Sequence, residues 1–348
     1  MSRKRRPRRR APVRRGPHPL RMAGKAVLAA LIVVIAASGW VVWTYSGPGP
    51  AARQGPATTV ILEHGSGVAQ IARDLAKAGV IRSSSLFIAA AKLSGAGRSL
   101  KAGEYDVPSH ASMARILGDI RAGRVVRHLI TVPEGWTSEM AADAVARSPV
   151  LTGQAEAPPE GAILPDSYQV ERGEARAAVL RRMTAAQDKV LAELWASRQP
   201  DLPFRTPEEA VALASIVEKE TALPAERPRI AAVYINRLRA GMRLESDPTI
   251  IYGVSKGRPL GRGISRAELT TLTPYNTYLV AGLPPTPIAN PGRASLAAVL
   301  NPPKTTELFF VADGGGGHVF SSTFAEHEKN VARWRAVERQ HAAAESGK

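Results

Sequence analysis

The sequence predicts an α+β protein on a single N-terminal transmembrane helix, with a small α+β module followed by a larger mixed α/β domain. Three observations predict it. A charge-free apolar run follows directly on a block of cations. A strand–turn–helix pattern occurs twice, about seventy residues apart. The second half of the chain carries clear helix-start signals and a glycine-rich stretch between two apolar runs.

The N-terminal elements come first in the chain. Its 348 residues suffice for two modest domains with appendages, and 44% apolar content allows a buried core. No cysteine is present, which excludes disulfides and thiolate metal sites. The formal charge of +17 is uneven: residues 1–25 hold eleven Lys or Arg and no acid, leaving +6 for everything else. That block reads as a solvated topology determinant, with no specific nucleic-acid partner. From Ala26 to Tyr45 the chain runs "AVLAALIVVIAASGWVVWTY", and no charge occurs between Lys25 and Arg53. Twenty helical residues span roughly 30 Å, the thickness of a hydrocarbon core. Trp40, Trp43 and Tyr45 sit at the far end as an interfacial belt, and the cations on the near side place the N-terminus in the cytoplasm. The expected location is the inner (cytoplasmic) membrane, single-pass, with the rest of the chain outside. A cleaved signal peptide is the alternative; the length of the run and the aromatics after it argue against one.

Ser46 to Ala57, "SGPGPAARQGPA", reads as a linker. After it, "TVILEHGSGVAQIARDLAKAGVI" from Thr59 and "LITVPEGWTSEMAADAVARSPV" from Leu129 share one pattern: an apolar run, a turn with Gly65 or Gly135, a small polar cap, then an amphipathic helix. Together they predict one module over 58–149. It resembles the glycan-binding LysM module; a spacer that holds the next domain at a set height is the alternative.

A second linker is expected at 150–161, and a domain of 162–345 after it. Its helix candidates include 174–197 and 207–221. The second has Thr206 as N-cap, Pro207 at the first helical position and Glu209 completing a capping box. Ala210, Leu213, Ala214, Val217 and Thr221 share one face, with Glu218 about 80° to one side, Glu220 about 80° to the other, and Lys219 toward solvent. Periodicity does not choose between the glutamates. Helix C-terminal carbonyls and partial burial both raise a carboxyl pKa, which suits a general acid. An edge glutamate paired with Arg227, Arg229 or Arg237 is the plainer alternative.

The second half also resembles a family. "PEGAILPDSY" (159–168), "LASIVEKET" (213–221), "AAVYINRLRAGMRLESDPTIIYG" (231–253), "TPYNTYLVAGLPPTPIANPG" (273–292), "AVLNPP" (298–303) and "LFFVADGGGGHVFSSTFAEH" (308–327) are similar, in order, to the membrane-anchored endolytic murein transglycosylases, the YceG-like family. The resemblance implies a glycan groove and lytic cleavage of peptidoglycan strands without cofactor or metal. It implies Glu218, the first glutamate of "EKET", as the catalytic group, with Glu220 supporting it. One carboxylate suffices where ordinary glycosidases use two, because the muramyl 6-hydroxyl is the nucleophile and closes a 1,6-anhydro ring. Peptidoglycan synthases are further candidate partners. A scaffold without activity, or a muramidase using water, are the rival functions.

In that groove Glu245, Ser246 and Asp247 of "ESDP" offer hydrogen bonds to sugar hydroxyls, with Asp247 the strongest candidate of the three. Tyr275, Asn276 and Tyr278 of "YNTY" offer aromatic faces and an amide. "GGGG" (314–317) lacks the Gly-Lys-Ser/Thr of a phosphate loop and reads as a hairpin turn, which puts His318 beside the groove or in the strand. The helix from Thr323 should close the fold through Phe324, Val331, Trp334 and Val337.

Overall fold

The computed structural model describes residues 19–346, with side-chain surroundings from residue 23 to residue 340. Most of the basic tail (1–25) therefore lies outside the described residues. The chain forms two compact units, residues 1–126 and 127–348.

In the first unit, α1 (Pro19–Ser46) contains the expected apolar run. Its Ala23–Ser46 stretch is, by length and composition, long and apolar enough to cross a membrane, and it is exposed from Ala23 to Trp43. Strand β1 (Ala57–Leu62), α2 (Val68–Lys77), α3 (Ser84–Leu93), β2 (Gly103–Pro108) and α4 (Met113–Ala122) follow. β1 and β2 pair antiparallel, with Val60 opposite Tyr105. Their inward side chains join Ile71, Leu75, Phe87, Ile116, Leu117 and Ile120 in one core. Ser83 and Ser112 cap α3 and α4, each accepting a backbone N–H three residues on.

Both predicted strand–turn–helix copies form, as β1–α2 and as β3 (Arg127–Thr131) with α5 (Ser138–Arg147), but they do not make one module. The division falls between Val126 and Arg127, not at Pro149. The cause is strand pairing. A lone strand leaves its backbone groups unpaired, and each copy recruits a different partner. β1 takes β2, whereas β3 takes β4 (Ser167–Glu171), beyond the expected second linker. That linker begins in the core: Val150 and Leu151 are buried with Ile130, Val145, Ile163 and Val170.

The second unit continues with α6 (Arg176–Ala196), α7 (Pro207–Glu220), α8 (Arg227–Arg239), α9 (Asp247–Ser255), α10 (Arg266–Thr270), α11 (Arg293–Leu300), β5 (Phe309–Ala312), β6 (His318–Ser321) and α12 (Phe324–Ser346). Helix α7 is central. Every residue from Ala210 to Glu218 is buried, because α8, α9 and α11 pack around it. Its small residues, Ala210, Ala212, Ala214 and Ser215, permit that enclosure, and the predicted capping box at Thr206 and Glu209 forms. The "GGGG" stretch turns the β5–β6 hairpin, with Asp313 accepting the Gly315 and Gly317 N–H groups. α12 packs across this hairpin. Of its expected apolar face, Val331, Trp334 and Val337 are half-buried while Phe324 stays 60% exposed.

Candidate active site

The two glutamates at the end of α7 have different surroundings. The Glu218 side chain is 3% exposed. Its Oε1 lies 3.0 Å from Arg227 Nη2, and its Oε2 accepts the Gly292 N–H at 2.9 Å, where α11 begins. Arg227 Nη2 also reaches Glu134 Oε2 at 2.9 Å. The Gly292 backbone passes so close that a Cβ there would fall 1.9 Å from Glu134 Oε1. Glu218 therefore ties together α7, α8, α11 and the loop before α5, with both oxygens engaged. Lys219 is exposed as expected, but its Nζ reaches the Gly135 carbonyl at 3.3 Å instead of ending in solvent.

Glu220 lines a cleft of 440 Å³, within the range of about 300–1,000 Å³ usual for small-ligand sites. Two donors converge on its Oε1: Tyr234 Oη at 2.6 Å from α8, and Ser246 Oγ at 2.5 Å from the N-cap of α9. Neither touches Oε2. Burial raises the Glu220 pKa above the usual carboxyl range, and the Asp247 charge pushes the same way; the Ser246 and Tyr234 hydrogen bonds and His318 oppose them. The Tyr234 hydroxyl is held well above its ordinary pKa by burial and by Glu220, so it stays a proton donor.

Around Glu220 the cleft is lined by Asp247, Tyr278, His318, Glu245, Arg237 and His327 among others. Tyr278 Oη donates to Asp247 Oδ1 at 2.8 Å; burial first, then this bond, raises the Tyr278 pKa. Glu245, with φ +54, accepts from Arg237 Nη1 at 3.1 Å. His318 is fixed by Glu226, whose carboxylate accepts its backbone N–H and contacts its Nδ1, each at 2.7 Å. Burial acts upward on Glu226, but the His318 and Thr221 donors outweigh it and hold its pKa low. The two Glu226 contacts hold the His318 ring in the cleft wall.

Among the sequence candidates, Glu220, Glu245, Asp247, Tyr278 and His318 line the cleft, and Ser246 acts on it through Glu220. Glu218 does not line it. Tyr275 does not either; its ring packs on Tyr252 at 4.9 Å and its hydroxyl meets Thr286 Oγ1. Asn276 is 1% exposed, with Nδ2 bonded to the Glu268, Leu269 and Thr271 carbonyls and Oδ1 to the Tyr278 N–H. Its amide is spent on the turn. Sequence reasoning missed Tyr234, Glu226 and His327, and named Arg237 only as a possible partner of an edge glutamate. Tyr234 and Arg237, three apart on α8, gave a usable signal: a phenol and a guanidinium on one face of a helix otherwise rich in core residues. Among the described residues no three His, Asp or Glu side chains gather as a metal-binding group.

Comparison with protein families matches residues 60–333 to the YceG-like family. The chain belongs to that family. The endolytic murein transglycosylase of Streptococcus pneumoniae (serotype 2, strain D39) is 29% identical to this YceG-like chain over 324 residues, covering 79% of the chain and 58% of the relative. The endolytic murein transglycosylase of Bacillus subtilis (strain 168) is 42% identical over 117 residues, 34% of the chain and 32% of the relative. The chain thus spans 58% of the length of the pneumococcal relative. Among solved structures, a yceG-like protein from Listeria monocytogenes superposes with a TM-score of 0.50 at 27% identity, covering 79% of the chain and 98% of that structure.

Proposed function

We propose that this YceG-like protein is a membrane-anchored endolytic murein transglycosylase, and that Glu220, not Glu218, is its acid and base. The observation that carries the choice is oxygen by oxygen. Glu218 has an ion pair on one oxygen and a backbone N–H on the other, whereas Glu220 takes both of its donors on Oε1. Oε2 is then the atom that carries an exchangeable proton. The raised pKa keeps that proton in place at a pH where an ordinary glutamate is ionised.

The reaction balances on this one group. Glu220 Oε2 gives its proton to the oxygen joining N-acetylmuramic acid to N-acetylglucosamine as the C1–O bond breaks. The muramyl 6-hydroxyl oxygen bonds to C1, and its proton returns to the Glu220 carboxylate, so the enzyme is regenerated and the product ends in a 1,6-anhydro ring. Tyr234 and Ser246 steady the carboxylate between the two transfers. Asp247, oriented by Tyr278, presents negative charge to the oxocarbenium-like transition state, and Glu245, Arg237 and His318 supply polar contacts along the strand. The names of the relatives support the substrate class. The basic tail and α1 support an anchor with the cleft on the extracytoplasmic side.

The test is digestion of purified sacculi by the full chain in detergent, with mass spectrometry of the products. Anhydro ends, lighter than reducing ends by one water, are expected, and Glu220→Gln should abolish them. Reducing ends would make the enzyme a hydrolase. No release at all would leave a scaffold.

A further inference from the structure

The stretch after the apolar helix reads as a flexible linker, yet the structure sews it onto the first unit. Thr44, in the last turn of α1, is 6% exposed, and Tyr45 packs against that unit's core. α1 contacts both α3 and α4. The Arg82 guanidinium lies 4.6 Å over the Trp43 ring and donates through Nη1 to the Pro48 carbonyl at 2.9 Å. Backbone bonds continue the seam. The Gly47 N–H returns to the Trp43 carbonyl, the Gly49 N–H donates to the His110 carbonyl at 3.1 Å, and the His110 N–H donates to the Pro50 carbonyl at 3.0 Å. The Ala52 N–H donates to Ser109 Oγ. A Cβ at position 49 would fall 2.1 Å from the Ala111 carbonyl oxygen, so the seam closes only over glycine.

The same helix end keeps an open, lipid-compatible flank. Trp40 is 59% exposed, Val42 62% and Trp43 53%, continuous with the Ala23–Ser46 apolar surface. A helix that crosses a bilayer and packs its last turn on a folded unit has no slack with which to hold that unit away from the lipid. Tryptophan at this depth belongs to the headgroup layer, and an arginine fork beside it matches phosphate. We propose that the end of α1 is a structural part of the first unit and seats that unit directly on the bilayer surface, with Arg82, stacked on Trp43, contacting lipid phosphate. This rests on the reading of α1 as a membrane-spanning helix.

The chain has no cysteine, so labels can be placed at will. The full-length protein carrying Gly39→Cys and Ser85→Cys spin labels, in nanodiscs of phosphatidylcholine with phosphatidylglycerol, should give one narrow inter-label distance distribution. Gly39 has open space around it and Ser85 is exposed, so neither label disturbs packing. Inserting Gly-Ser-Gly-Ser after Ser46 should broaden the distribution, since a free chain of the length of 46–57 wanders by about 20 Å. A broad distribution in the uninserted chain overturns the proposal. A single fluorophore at Ser85→Cys, one turn from Arg82, should be quenched several-fold by headgroup-labelled lipid. Arg82→Gln should weaken that quenching, more in discs containing phosphatidylglycerol, while the backbone bonds at Gly49 and His110 keep the spin–spin distribution narrower than in the inserted chain. Absent quenching in the parent chain refutes the surface contact. A chain that fails to co-elute with the discs refutes the anchor reading itself, which separates the two failures.

Discussion

Glu218 and Glu220 are two residues apart on one helix, and the fold treats them oppositely. Glu218 is enclosed: Arg227 and Gly292 hold it, and its negative charge is matched. Glu220 faces a cleft with Asp247 beside it and only neutral hydroxyl donors on its carboxylate, so its charge is opposed. A matched carboxylate stabilises structure; an opposed one stores reactivity. If Glu220 is the acid, then within a motif such as "EKET" the partners of each oxygen, more than position, decide which glutamate performs chemistry.

The sharpest way to break this comparison is to exchange the outcomes. Glu220→Gln should lose about 10²- to 10⁴-fold in release of anhydromuropeptides, the share that general acid catalysis supplies, while Glu218→Gln should keep turnover per folded molecule. Loss in Glu218→Gln at normal stability, with Glu220→Gln active, would return the acid role to Glu218. Stability should divide the other way. Glu218→Ala leaves the buried Arg227 with Glu134 alone, and chemical denaturation should register a loss of about 3 kcal/mol, or roughly 6–12 °C in Tm for a unit of this size.

The pH dependence sharpens the contrast further. The folded-state pKa of Glu220 is raised, so its contribution to stability is present at low pH and is lost as pH climbs through that value. Glu220→Gln lacks the loss and should gain in Tm over the parent chain as the solution becomes more alkaline. With Glu220 as the proposed acid, activity should fall over the same window as the carboxyl loses its proton. Tyr234→Phe and Ser246→Ala each remove a bond that favours the carboxylate, so both should move the alkaline limb of kcat/KM to higher pH. A shift to lower pH would mean that these donors serve the protonated form. The smallest effect belongs to the cleft rim. Tyr278→Phe frees Asp247 and should cost about 1 kcal/mol, a few-fold in kcat/KM, without a change in Tm, whereas Asn276→Ala should lower Tm and leave turnover per folded molecule intact.

Much of this was legible where local rules decide. The α7 capping box, the glycine-turned hairpin and the apolar helix follow from residues within a few positions of one another. What escaped depended on distant pairing. The boundary at Val126 follows from β3 choosing β4 rather than a strand upstream, and nothing near Arg127 announces it. The two glutamates were indistinguishable because a helical wheel assumes one wet face, and α7 has almost none from Ala210 to Glu218. Asn276 looked like a groove amide because its partners are backbone carbonyls, which no side-chain pattern reveals. The hairpin left His318 either beside the groove or in the strand, and its orientation by Glu226, 92 residues away in sequence, was not readable.

The cleft draws its lining from Glu220 through Val331, so 111 residues separate its first contributor from its last. A ribosome adding about 5–20 residues per second takes on the order of ten seconds over that interval. During it Glu220 exists without His318, His327 or the hairpin that forms a wall of the cleft. Synthesis from the N-terminus therefore commits the apolar helix and the first unit before the cleft is complete, and the cleft gains its last wall only after α12 has been made.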